Sequence, residues 1–368
     1  MPSGDSGPAG PGPHDLVAEA QRQLTICNSC RYCAGYCPVW PELELRTALS
    51  TKDLGYLANL CHDCQDCFTA CMYTAPHEFD LNPPAVFAGL REETYEAYRW
   101  PRRWPFPGWA AVLVAYLVVG GLLGLLAYLF GGEGAAGSPY RLVPHGLLVA
   151  VVGLPAAYSL VVIGTGAVRF WRDTYGPLRG LLRVPGWGRT ARDVLTLRHQ
   201  SGGGADCEYP GDEPGRARRI WHHLLAYGLG LCAVSTASAA VQQQFLGLLP
   251  PYPYLSVPVL TGSAGGVAML AGGTGLLVLK SRSDPARTST AMRSADYGFL
   301  WALLALAGTG MLALVLRGGA LFGPVYLAHL DAVVVAFAIC PYTKFPHWVY
   351  RTLAIRKYHL DAAVRGGY

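Results

Sequence analysis

The chain has 368 residues, 52% of them hydrophobic and 14% charged, with a net charge of +5. Soluble domains carry about 25% charged residues, so this composition excludes an ordinary soluble protein. The small positive excess sits in arginine-rich loops beside apolar spans, without interleaved aromatic platforms, which argues for a membrane and against nucleic acid as the partner.

In chain order, residues 1–14 open as a Gly-, Pro- and Ser-rich stretch, MPSGDSGPAGPGPH. This composition predicts a disordered tail, and with no basic start and no apolar core it does not read as a secretory signal. Residues 15–104 read as a soluble, ferredoxin-type head. Eight of the eleven cysteines fall there in two matched runs, Cys27-x2-Cys30-x2-Cys33-x3-Cys37 and Cys61-x2-Cys64-x2-Cys67-x3-Cys71, with Pro38 after the first. Close-set cysteines let one loop wrap a cubane with three thiolates while the fourth comes from the other run. The spacing therefore predicts two [4Fe–4S] clusters, one on Cys27, Cys30, Cys33 and Cys71 and one on Cys61, Cys64, Cys67 and Cys37. Zinc knuckles leave the third and fourth cysteines of each run unexplained. Disulfides require an exported, oxidising setting.

Residues 105–350 contain six segments able to cross a bilayer, for which about 20 apolar residues are needed. They lie near 109–130, 146–168, 222–246, 258–279, 297–316 and 325–345. Polar residues dilute the third and fourth, whereas glycines such as Gly272 and Gly273 suit close packing in a membrane. The connection 169–221 carries ten arginines, and 280–296 carries Lys280, Arg282, Arg287 and Arg293. The tail 351–368 is basic as well, while the intervening loops hold one basic residue or none. The positive-inside rule then places both termini in the cytoplasm. The expected fold class is all-α: a two-cluster head on a six-helix transmembrane bundle.

His145, His222, His223, His329 and His347 lie at or inside span ends, where an unpaired imidazole is costly. His329 and His347 are eighteen residues apart on one predicted helix. Five turns would put them on one face, about 27 Å apart along the axis. That arrangement predicts b-type haem, one or two groups, on His145 with His329 at the outer side and on His222 or His223 with His347 at the inner side. His222 is favoured over its neighbour because only one of the two can face the bundle. The competing account is interfacial histidines satisfied by lipid headgroups or water. Asp331 is read either as a proton relay for a quinol or as a carboxylate at the aqueous boundary. Cys232 and Cys340 read as ordinary small residues. Cys207 follows a glycine-rich loop that either approaches a cofactor or is plainly flexible.

The stretches CNSCRYCAGYCPVWP (27–41) and CHDCQDCFTACMYTAPHEFDLNPP (61–84) resemble the tricarballylate/citrate utilisation protein B family. So do RLVPHG (141–146), SGGGADCEYPGDEPGRARRIWHH (201–223) and AHLDAVVVAFAICPYTKFPHWVYR (328–351). The cluster cysteines and all five histidines fall in these motifs. The N-terminal tail does not. Met72 stands where a generic ferredoxin has proline, as in that family. The resemblance implies a membrane partner of a soluble FAD-dependent tricarballylate- or citrate-type dehydrogenase, reoxidising its flavin and passing electrons to the quinone pool of the cytoplasmic membrane. The chain shows no dinucleotide fingerprint of its own. It is thus expected to be an electron-transfer subunit rather than a stand-alone enzyme. The rival readings are the anchor of a heterodisulfide- or nitrate-reductase-like complex and a redox sensor. A transporter would favour internal repeats, which are not found.

Overall fold

A computed structural model describes residues 13–102, 108–131, 138–203 and 206–365. The tail expected at 1–14 lies outside them up to residue 12. The first helix, α1, begins at Pro13 (Pro13–Cys30). It is followed by α2 (Val39–Glu44), α3 (Thr51–Leu60), α4 (Asp66–Thr69) and α5 (Pro83–Tyr98). Local sequence explains these starts. Ser50 and Asp53 form a reciprocal capping box on α3, and Asn82 caps α5 ahead of Pro83, whose missing N–H costs nothing in a first turn. Leu24, Leu43, Leu54, Leu57, Leu60 and Phe87 are buried together as the head core.

The long apolar helices are α6 (Gly108–Phe130), α7 (His145–Thr174), α10 (Ala217–Leu246), α11 (Val257–Arg282), α12 (Thr290–Val315) and α13 (Phe322–Ile339). Between α7 and α10 lie the short α8 (Arg179–Leu182) and α9 (Trp187–Leu195). Six helical segments are long and apolar enough to cross a membrane, the last continuing through a 3-10 turn to Tyr342. They leave large apolar side chains on the outside of the bundle, including Leu117, Leu154 and Leu160, all at least two-thirds exposed (68%, 71% and 74%). Such a surface needs lipid rather than water around it. The polar third and glycine-rich fourth segments do form helices and pack tightly. A side chain on Gly228 would collide with the backbone at Gly265 and Met269, so glycine permits the approach.

Two expectations are corrected. The sixth span is not one helix from His329 to His347. It ends at Ile339, turns through Cys340–Tyr342, and a new helix, α14 (His347–Val364), follows Pro346. Pro341 has no N–H for the carbonyl of Phe337, four residues earlier, which instead accepts from the Ser159 hydroxyl. The single-face, 27 Å argument for two stacked haems therefore fails. Residues 351–364 are likewise not a tail. They continue α14 through the head core, where Ala354 and Ile355 are 0% and 1% exposed. Packing of α14 on the head puts the N-terminal head and the C-terminal helix at the same end of the bundle. Among the described residues there is no strand, only an isolated bridge between Cys207 and Gly215.

Candidate redox site

Both cysteine runs sit where a helix ends and the chain turns sharply. Arg31, Asp63 and Gln65 take the left-handed conformation, with φ of 56°, 58° and 69°. These turns fold each run back on itself and aim amides at sulfur. The N–H of Asp63 lies 3.4 Å from Cys61 Sγ, and that of Tyr73 3.3 Å from Cys71 Sγ. The thiols surround two neighbouring cavities. Cys27, Cys30, Cys33 and Cys71 line the first, and Cys37, Cys61 and Cys64 line the second; Cys67 lies in the wall of both. The fourth cysteine of each run has thus crossed to the other.

Among the described residues no three His, Cys, Asp or Glu side chains converge tightly enough for a single metal ion. Thiolates of a cubane bind different irons and stand farther apart, so the spread set matches a cluster better than an ion. The donor chemistry fits too. Burial, reinforced by Cys71 and the other thiols of the set, pushes Cys27 and Cys33 up to about 12. Such thiols need a cation to become thiolates.

The head meets the bundle at two histidines. The ring of His222, on α10, lies 6.2 Å from that of His347, at the start of α14, with an interplanar angle of 81°. Two imidazoles bonded at about 2 Å on opposite sides of one iron would have centroids about 6 Å apart. His347 Nδ1 donates to the Lys344 carbonyl at 2.7 Å, which leaves Nε2 as the lone-pair nitrogen. Burial first, then the charges of Arg351 and Lys344, hold His347 well below the ordinary 6.5 and therefore neutral. His222 Nδ1 is buried without a hydrogen-bond partner among the described residues. These two residues are the ones that would hold a haem.

The remaining histidines are placed differently. His223 stacks on Tyr227, 5.4 Å between centroids, and its Nε2 faces the Leu195 carbonyl at 3.2 Å, so it turns away from the pair. His145 packs edge-on against Tyr140. His329, on α13, packs against α12, with Nδ1 3.1 Å from the Thr309 hydroxyl and its ring against Gly310. Among the described residues no ring contact or hydrogen bond joins His145 to His329. Asp331 has one carboxylate oxygen buried without a partner and the other toward Gly120 of α6.

Sequence reasoning missed what links the thiols to the histidines. Arg218 lies one turn before His222, and Arg351 one turn after His347. Arg351 donates to the Cys61 carbonyl at 2.8 Å, and Arg218 to the carbonyl and carboxylate of Asp63. The four-residue spacings in RRIWHH and HWVYR were the available signal. Cys207 is also nearer the site than expected, its Sγ 3.4 Å from the Cys64 carbonyl. The glycine-rich loop before it does approach the second run. Gly203 N–H bonds Asp66 at 2.9 Å, and a side chain on Gly202, at φ 54°, would collide with that carboxylate.

Fold and site define the class: a multi-pass, all-helical membrane protein with a cysteine-rich, iron–sulfur type of head. Residues 108–367 match the family model described as Citrate utilization protein B, and residues 20–97 match the Citrate utilization protein B Fer4-like domain. The Escherichia coli protein named Citrate utilization protein B is 34% identical over 354 residues, 94% of this chain and 92% of that relative. The chain belongs to the citrate utilization protein B family. No solved structure matches it.

Proposed function

We propose that this chain carries electrons from a soluble FAD-dependent dehydrogenase of the tricarballylate or citrate type to the quinone pool. The name of the Escherichia coli relative supports the citrate connection. In this reading Cys27, Cys30, Cys33 and Cys71 hold one [4Fe–4S] cluster, Cys61, Cys64, Cys67 and Cys37 a second, and His222 with His347 a haem b. These groups would supply one-electron redox chemistry between a two-electron flavin and a quinone. The chain's own residues do the positioning: α14 joins head to bundle, and Arg218 and Arg351 tie the Cys61 loop to the histidine-bearing helices. The carrying observation is that the second thiol set and the facing histidines share one bonded framework. His145, His329 and His223 are left outside the haem site.

The arginine-rich loops favour the cytoplasmic side for the head and both termini. Exposed Arg179, Arg183, Arg189 and Arg192 on and around α8 and α9 offer an acidic flavoprotein a docking face. Iron and haem quantification with electron paramagnetic resonance on purified membranes tests the reading. The expected result is two cluster signals and a haem lost in His347→Ala but kept in His223→Ala, with Cys71→Ser damaging the first-run cluster. Haem that survives His347→Ala and His222→Ala would overturn the haem assignment. Absence of cluster iron would overturn the whole.

A further inference from the structure

Three guanidinium groups converge on the loop that opens the second cysteine run. Arg91, on α5 and 4% exposed, places Nη1 3.3 Å from the Ala58 carbonyl and 3.5 Å from that of Cys61. Arg351 donates to the same Cys61 carbonyl at 2.8 Å. Arg218 bonds the Asp63 carbonyl, stands 3.3 Å from the Asp63 carboxylate and 3.7 Å from Cys207 Sγ. Guanidinium stays charged at any working pH.

The charges do not balance. Asp63 pairs with Arg218 and attracts Arg91 from beyond ion-pair distance; among the described residues no carboxylate stands within ion-pair distance of Arg91 or Arg351, and Arg351 Nε is buried without a hydrogen-bond partner. Buried cations without counter-charge are strongly disfavoured. An anionic group on the Cys61 loop would relieve both. An iron–sulfur cube with four thiolate ligands is such a group: net negative when oxidised and more so when reduced.

Among the described residues the first run has no such neighbourhood. Its cavity is lined by an exposed Arg31, which donates to the Asn28 carbonyl at 2.9 Å, and by the acidic Glu44. Its Cys30 is exposed, where water screens charge. Asp66 lies between the runs and acts on Cys33 as well as on Cys37 and Cys64, so it does not separate them.

We propose that Arg91 and Arg351, with the Arg218–Asp63 pair beside them, form a cationic seat that makes the second-run site the higher-potential of the two clusters. The inference rests on the cluster reading above. It gives the head a direction: the run that is tied to His222 and His347 holds an electron more firmly than the exposed run. Haem carboxylates are the rival occupant of the seat, since Arg218 and Arg351 each stand one turn from a histidine of the facing pair.

The test is a mediated redox titration of the full chain in membranes, following each cluster by electron paramagnetic resonance and haem by its absorbance. The Cys71→Ser and Cys37→Ser variants assign the two cluster signals. In Arg351→Gln and Arg91→Gln the ratio of reduced to oxidised second-run cluster should fall about tenfold at the potential that half-reduces it in the unsubstituted protein. That is the effect expected of one charge roughly 10 Å away at an effective dielectric of about 20. The first-run signal and the haem content should not move. Arg351→Lys keeps the charge and should keep the second-run potential within about threefold, which serves if a glutamine variant folds poorly. Equal shifts in both clusters, no shift in the second, or loss of haem with cluster potentials unchanged would overturn the proposal. Absence of both cluster signals from the unsubstituted protein would overturn the parent reading, and this one with it.

Discussion

Replacing Asp296 by Asn removes a carboxylate that two lysines share at the head-side end of the bundle. Its Oδ2 stands 2.5 Å from Lys280 Nζ, its Oδ1 accepts from Lys344, and the residue is 6% exposed. The triad ties α11 and α12 to the segment that orients His347. Burial already pulls Lys344 from the ordinary 10.5 to about 8, against the attraction of Asp296. At about 1.4 kcal/mol per tenfold, that costs the native state about 3 kcal/mol. Without Asp296 the value falls further until Lys344 is neutral at neutral pH. Neutralisation caps its cost at about 5 kcal/mol, so Lys344 adds roughly 1.5 kcal/mol. Lys280 loses its partner as well, and breaking a buried pair from one side costs about 3–5 kcal/mol. We expect a total near 5 kcal/mol. At about 2 °C per kcal/mol for a chain of this size, the melting temperature in detergent should fall by roughly 10 °C. Combining Asp296→Asn with Lys280→Met and Lys344→Met removes the surplus buried charge and should return most of the loss. A single variant melting within about 2 °C of the parent, or a triple variant no better than the single, would refute the reasoning.

Two more predictions concern the α9–α14 side of the head. His359 bonds Asp193 at 2.9 Å and His199 Nε2 stands 3.2 Å from the same carboxylate, yet burial holds both below the ordinary 6.5. Below that value the unfolded chain binds protons that the native state refuses, so stability falls on acidification; His199→Gln should flatten the fall in melting temperature between about pH 7.5 and 5.5, and an unchanged slope would count against it. Arg356, 0% exposed, donates to the carbonyls of Pro185, Arg183 and Gly180 at 2.9, 2.7 and 3.3 Å. Arg356→Met leaves those carbonyls unsatisfied at about 1–3 kcal/mol each. Trypsin should then cut at Arg179–Arg192 faster than in the parent, and equal rates would show that the segment is held by something else.

The properties legible in the sequence are those carried by local pattern. Hydropathy over about 20 residues marks a helix that must sit in lipid whatever its neighbours are, and six segments emerged as such helices close to the expected bounds. Ligand spacing within a run is equally local, and so is the resemblance carried by the motifs around it. The periodicity argument from His329 to His347 failed because it presumes an unbroken helix. Pro341 and Pro346 stood between them in plain view. Other relations needed the folded chain. His222 meets His347 across 6.2 Å while His223, one residue on, turns to Leu195; helical phase alone cannot say which of two adjacent rings a distant helix will meet. Cys37 and Cys71 each line the other run's cavity, and Arg351 reaches Cys61 from 290 residues away. Such contacts depend on which helix ends come together when apolar faces are buried, and no single segment of the chain contains that information.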